Sequence, residues 1–86
     1  MKGPRIWARL RGPTELAAHA ISEFEAAGFQ ARLLLERSHG DTTWIEVRAQ
    51  GTVREMKSIR DRADTVGSEL GFSVREYGPA PQDLSS

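Results

Sequence analysis

The chain has 86 residues, no cysteine, 38% hydrophobic content, and twelve basic against twelve acidic residues, so its formal net charge is zero. That length suits one small domain with a core near the lower limit for independent stability and no disulfide to reinforce it, which makes association with a second copy an expectation. Zero net charge excludes whole-molecule attraction to nucleic acid or an anionic membrane but leaves local patches open.

No segment approaches the roughly 20 apolar residues of a membrane span. The opening MKGPRIWARLRGP lacks the apolar stretch of a secretory leader, so a cytoplasmic location is expected. Only Lys2 and Lys57 are lysines; the other basic residues are arginines, a bias that suits bidentate anion contacts and that base composition also produces.

Arg5 to Leu10 alternates with period two and predicts a half-buried strand. Ile6, Ala8 and Leu10 point one way, and Trp7 points the other way between Arg5 and Arg9. Gly12 and Pro13 then suit the start of a helix. Leu16, Ala17, Ala20, Ile21, Phe24 and Ala27 recur at helical spacing, with Glu15 in the first turn, where the helix dipole favours a negative charge. Gly28 supplies a left-handed stop, and Phe24 is placed to touch Phe29 just beyond it.

Phe29 to Arg37 reads as a second strand, with Phe29, Ala31, Leu33 and Leu35 inward and Gln30, Arg32, Leu34 and Glu36 outward. Ser38 to Thr42 makes a hairpin loop. Thr42 to Ala49 alternates again, with Thr43, Ile45 and Val47 on one side and Trp44, Glu46 and Arg48 on the other. Thr52 and Glu55 form a capping-box pattern opening a second helix, along which Val53, Met56, Ile59, Ala63, Val66 and Leu70 follow the helical period up to Gly71. Gly67 inside that helix costs roughly 1 kcal/mol against alanine and marks either a close contact or an early fraying point. Phe72 to Tyr77 is a short last strand with Phe72 and Val74 inward, and residues 78–86 form a proline-containing tail after a single domain over 1–77.

The two halves echo each other. Trp7-Ala8-Arg9-Leu10-Arg11 before Gly12 parallels Trp44-Ile45-Glu46-Val47-Arg48 before Gly51, and both helices end in Gly-Phe. The order strand, helix, strand, strand, helix, strand predicts an α+β ferredoxin-like βαββαβ sandwich, a four-stranded antiparallel sheet with two helices on one face. The outward residues then share an uncovered face. It carries Trp7, Trp44, Arg9, Arg48 and Tyr77 together with Arg5, Arg32, Leu34, Glu46 and Arg75. Tryptophans among arginines have the composition of an interface, or they pack on the arginine stems as cross-strand pairs.

Across residues 5 to 77, the first strand, its glycine-proline turn, the helix ending in EAAGF and the following hairpin resemble the ACT-type regulatory domain. That resemblance implies a small-ligand site, such as one for an amino acid, in the turn Arg11, Gly12, Pro13 and Thr14, formed where two domains pair. IWARL is also similar to the first-strand pattern of the RNA-recognition motif, which stacks bases on aromatics of strands one and three.

His19 and His39 lie on different elements, the acidic residues do not gather, and no phosphate loop or metal-ligand spacing occurs, so neither catalysis nor a cofactor or metal is expected. Two functions remain. One is a self-associating binding or regulatory domain, with ACT-like sensing of a small ligand as its most concrete form. The other is single-stranded RNA binding on the open sheet by Trp7, Trp44, Arg9 and Arg48.

Overall fold

The computed structural model describes residues 5–80. Strand β1 spans Arg5–Pro13, helix α1 Ala17–Ala26, β2 Gln30–Leu33, β3 Thr42–Gln50, helix α2 Met56–Ser68 and β4 Ser73–Pro79. Single 3-10 turns precede both helices, at Thr14–Leu16 and Val53–Glu55, and a third lies between β2 and β3 at Leu35–Arg37. The sheet order β2-β3-β1-β4 is antiparallel throughout, so this is the ferredoxin-like arrangement the sequence order predicts.

Side-chain parity explains why one layer suffices. Ile6, Ala8 and Leu10 from β1 and Ile45 and Val47 from β3 meet Ala20, Phe24, Ile59 and Ala63 from the two helices, with Phe29 and Phe72 closing the ends of the core. Both helices therefore cover the same face of the sheet.

The helix ends follow their residues closely. At α1, the Gly28 amide donates to the Glu25 carbonyl and the Phe29 amide to the Phe24 carbonyl; at α2, Gly71 and Phe72 repeat this pair of bonds onto Ser68 and Gly67. Gly28 and Gly71 adopt the left-handed φ values of 95° and 81° that such an exit requires. The predicted Phe24–Phe29 contact is an edge-to-face pair with centroids 5.5 Å apart. Before α2, the Thr52 amide donates to Glu55 Oε1 at 2.9 Å, one half of the capping box.

Four expectations need correction. β1 runs three residues further than Leu10, because Gly12 and Pro13 stay extended and pair with Thr43 and Thr42. β4 runs to Pro79, and the Ala80 amide donates to the Arg5 carbonyl, so the first residues of the predicted tail belong to the sheet; the remainder, 81–86, lies outside the described residues.

The second strand stops at Leu33, and burial beyond it departs from expectation: Leu34, opposite Trp44, is buried apart from the core under the helices, and Leu35 is 72% exposed. The cause is Ser38. Its hydroxyl donates to the Leu34 carbonyl at 2.8 Å and accepts from the Trp44 amide at 3.0 Å, a local alternative to ladder pairing that draws the chain into the 3-10 turn.

In β4 the register against β1 slips at Arg75, where Arg9 pairs with Glu76 but Leu10 pairs with Val74. This bulge turns Glu76 to the open face and Tyr77, opposite inward-facing Ala8, to the helix side. There the Arg60 guanidinium of α2 lies 5.7 Å from the Tyr77 ring centroid.

Gly67 is a close contact rather than a fraying point. A methyl group there would lie 2.7 Å from Leu10 Cδ2 and 3.2 Å from Phe72 Cβ, and one at Gly12 would meet the Phe72 ring. Gly67→Ala is therefore expected to lower stability by about 1–3 kcal/mol despite alanine's better helix propensity. Urea denaturation measures the sign directly, and a more stable variant would show that α2 has room to move away from the sheet.

Candidate functional site

The open face is built from rows of side chains running across the strands. The register places Arg32, Glu46, Arg9 and Glu76 in one row across β2, β3, β1 and β4. Gln30, Arg48, Trp7 and Gly78 form the next row on one side. Trp44 and Arg11 pair on the other side, where the Leu34 amide donates to the Trp44 carbonyl. The internal repeat explains the symmetry: each tryptophan stands opposite the last arginine of the other half's motif, and the Arg9–Glu46 pair occupies the centre.

Glu46 is the hub of this surface. Its side chain is 1% exposed, yet Arg9 Nε approaches Oε2 at 3.1 Å, while Arg32 Nε and Arg48 Nε approach Oε1 at 3.2 and 3.4 Å. A buried carboxylate is tolerated only when it is paired and hydrogen-bonded. Burial pushes the Glu46 pKa up, but hydrogen bonds from Arg9 and Arg32 and the nearby charges of Arg48 and Arg32 outweigh it and hold the carboxyl below its ordinary value. Arg9 also uses Nη1 to reach Glu76 Oε1 at 3.2 Å. All three arginines meet Glu46 through Nε, and no described residue takes the outer nitrogens of Arg32 and Arg48.

The tryptophans do not form a shared apolar patch. Their rows lie on either side of the Arg9–Glu46 row, four residues apart along the strands, or roughly 14 Å. Each is half-buried and supports a guanidinium: Arg9 lies 4.6 Å from the Trp7 ring centroid and Arg37 lies 4.8 Å from that of Trp44. Trp7 also leans over Gly78 and donates its indole N–H to the Pro79 carbonyl at 3.1 Å. Arg37 arrives from the 3-10 turn after β2, which folds back across the sheet, and its Nη1 meets both oxygens of Glu76 at 3.3 Å. The tryptophans act as platforms for arginines.

Among the predicted site residues, Trp7, Trp44, Arg9 and Arg48 therefore share the open face, whereas Tyr77 does not, because the β4 bulge re-aims it. The predicted ligand turn is dispersed. Arg11 is exposed on the open face opposite Trp44, Gly12 is covered by Phe72, and Pro13 is the last residue of β1. Thr14 spends its amide on the Asp41 carbonyl and its hydroxyl on the Gly40 carbonyl, both at 2.9 Å. The sequence singles out neither Glu46 as an organiser nor Arg37 and Glu76, and it places Ser38 only in the hairpin loop. The available signal was a single outward glutamate on the strand between outward Arg9 and outward Arg32.

Charge is segregated by this layout. The face carries Arg5, Arg9, Arg11, Arg32, Arg37 and Arg48 against Glu46 and Glu76, four positive charges in excess, although the whole chain is neutral. No lysine or arginine occurs from Thr14 to Ala31, where Glu15, Glu23 and Glu25 make the α1 side acidic.

Compared with protein-family models, with curated proteins and with solved structures, the chain matches none.

Glu46→Gln removes the charge that three guanidiniums share, and because those guanidiniums are about a third or more open to solvent it is expected to cost about 1–2 kcal/mol near neutral pH. The sign with pH follows from the lowered carboxyl. Its contribution is complete above the ordinary glutamate pKa and disappears as acid carries the pH down through the depressed folded value. Urea unfolding of both proteins across that acidic range checks this: the gap should narrow as pH falls, and a gap that is absent or independent of pH would contradict the role assigned to Glu46.

Proposed function

We propose that this protein is a binding module whose open sheet face takes single-stranded nucleic acid, held chiefly through its phosphates by pre-positioned arginines. The observation that carries this reading is the excess of guanidinium donors on one face, two of which, Arg32 and Arg48, meet a buried carboxylate through Nε and leave their outer nitrogens without a partner among the described residues. Holding an arginine in place before binding reduces the entropy lost when it meets an anion. The planar fork suits phosphate oxygens, and a cationic groove flanked by aromatics is a common way to follow a single strand.

The geometry shifts emphasis from base stacking to backbone contact, because the tryptophan rings already carry Arg9 and Arg37. It also favours the sheet over ACT-like sensing in the Arg11–Thr14 turn, since the polar groups of Thr14 are spent internally while those of the sheet arginines exceed their acceptors. The acidic side around α1 would repel a nucleic-acid strand and so restrict it to one face. Self-association through the same cationic face is the competing use, and it has a different readout.

Fluorescence anisotropy with a labelled single strand of about twelve nucleotides tests the proposal. Binding is expected to weaken with salt, with a log-log slope of about −2 to −3 for three to four phosphates neutralised, and Arg11→Gln is expected to reduce the slope by about 0.7. Salt-insensitive binding, or none, would refute it. A stable dimer in light scattering together with no nucleic-acid binding would assign the face to a second copy instead.

A further inference from the structure

The arginine layer is not uniform. At the β2 side of the open face lies a hollow of about 350 Å³ lined by Gln30, Ala31, Arg32, Glu46 and Arg48. A second hollow of about 220 Å³ shares Gln30 and Arg48 and adds Arg5 and Gln50. Arg5 Nη1 donates to Gln30 Oε1 at 2.7 Å, which occupies the amide's acceptor and leaves its NH₂ as a donor between the hollows. Arg32 and Arg48 both turn Nε inward onto Glu46 Oε1. Their remaining N–H groups and the Gln30 amide therefore outnumber the acceptors around them, and the one carboxylate present is already shared by three arginines.

Resting on the nucleic-acid reading, we infer that this corner is a phosphomonoester site, with Arg32 and Arg48 as two guanidinium forks and Gln30 as a third donor. A phosphomonoester supplies three outer acceptor oxygens and close to two negative charges at neutral pH, whereas a backbone diester supplies two oxygens and one charge. The donor excess fits the former. The group has two sources, the phosphorylated end of a strand or a free phosphate, and the chemistry at the hollow is the same for both.

The experiment uses the full chain, with the side-chain N–H resonances of Gln30, Arg32 and Arg48 followed by NMR during titration with inorganic phosphate. In parallel, anisotropy compares the same oligonucleotide with and without a 5′-phosphate. The expected result is movement of those three sets of resonances and about tenfold tighter binding of the phosphorylated strand. Arg32→Gln should abolish that preference while leaving residual binding, with Arg9 and Arg48 still reaching Glu46, and Gln30→Leu, which leaves all three partners of Glu46 in place, should weaken it.

Resonance shifts with inorganic phosphate but no preference between strands would keep the site and assign its source to free phosphate. Unmoved resonances together with equal affinities would overturn the inference while the nucleic-acid reading stands on its salt-dependent binding. Phosphate binding without any oligonucleotide binding would do the reverse, preserving the hollow and removing the reading beneath it.

Discussion

A single buried carboxylate organises one whole side of this molecule. Glu46 sits in the middle of a central strand with its side chain 1% exposed, a position whose cost is offset only because three guanidiniums reach it. Arg9 and Arg32 are hydrogen-bonded to it at their inner nitrogens, and Arg48 stands within ion-pair reach through its own. The same contact that makes the glutamate tolerable converts three flexible side chains into an ordered cationic layer, and Glu76 extends the layer to β4 and to Arg37.

The internal repeat gives this layer its symmetry. Antiparallel pairing of the two Trp-x-x-x-Arg segments brings Trp7 opposite Arg48 and Arg11 opposite Trp44, with Arg9 and Glu46 facing each other between them. Had the central pair kept the same residue in both halves, two like charges would face each other across the strands, a destabilising arrangement. The exchange of arginine for glutamate at that one position supplies the hub. The tryptophans then serve as flat supports, which explains large apolar rings on the charged side of a strand: the rings hold guanidiniums in place.

Much of the fold was legible in local chemistry. Two-residue alternation assigned the faces of β1 and β3, the Gly-Phe exits marked both helix ends, and Thr52 with Glu55 marked a helix start. The misreadings have specific physical origins. Leu34 and Leu35 exchange their expected burial because the Ser38 hydroxyl captures a carbonyl and an amide that a regular strand would have paired, and alternation alone carries no sign of that. Tyr77 changes face because one extra residue at Arg75 shifts the β4 register, and a short strand with few buried positions barely constrains its own register.

The residues of the candidate site were visible singly, as outward arginines and tryptophans, but their relations were not. An outward glutamate reads as a solvated charge until the positions of Arg9, Arg32 and Arg48 around it are known. Likewise, overall neutrality conceals a separation of charge that only sheet parity reveals, with four positive charges in excess on one face and an acidic helix behind it.

The most direct measurement is an NMR titration that follows the Glu46 side-chain carboxyl and the Nε–H groups of Arg9, Arg32 and Arg48 in one series of spectra. The carboxyl midpoint is expected below the ordinary glutamate range, with the three Nε protons slow to exchange and losing that protection together as the carboxyl takes up its proton. An ordinary midpoint, with the three groups exchanging rapidly and independently, would contradict the organising role of Glu46.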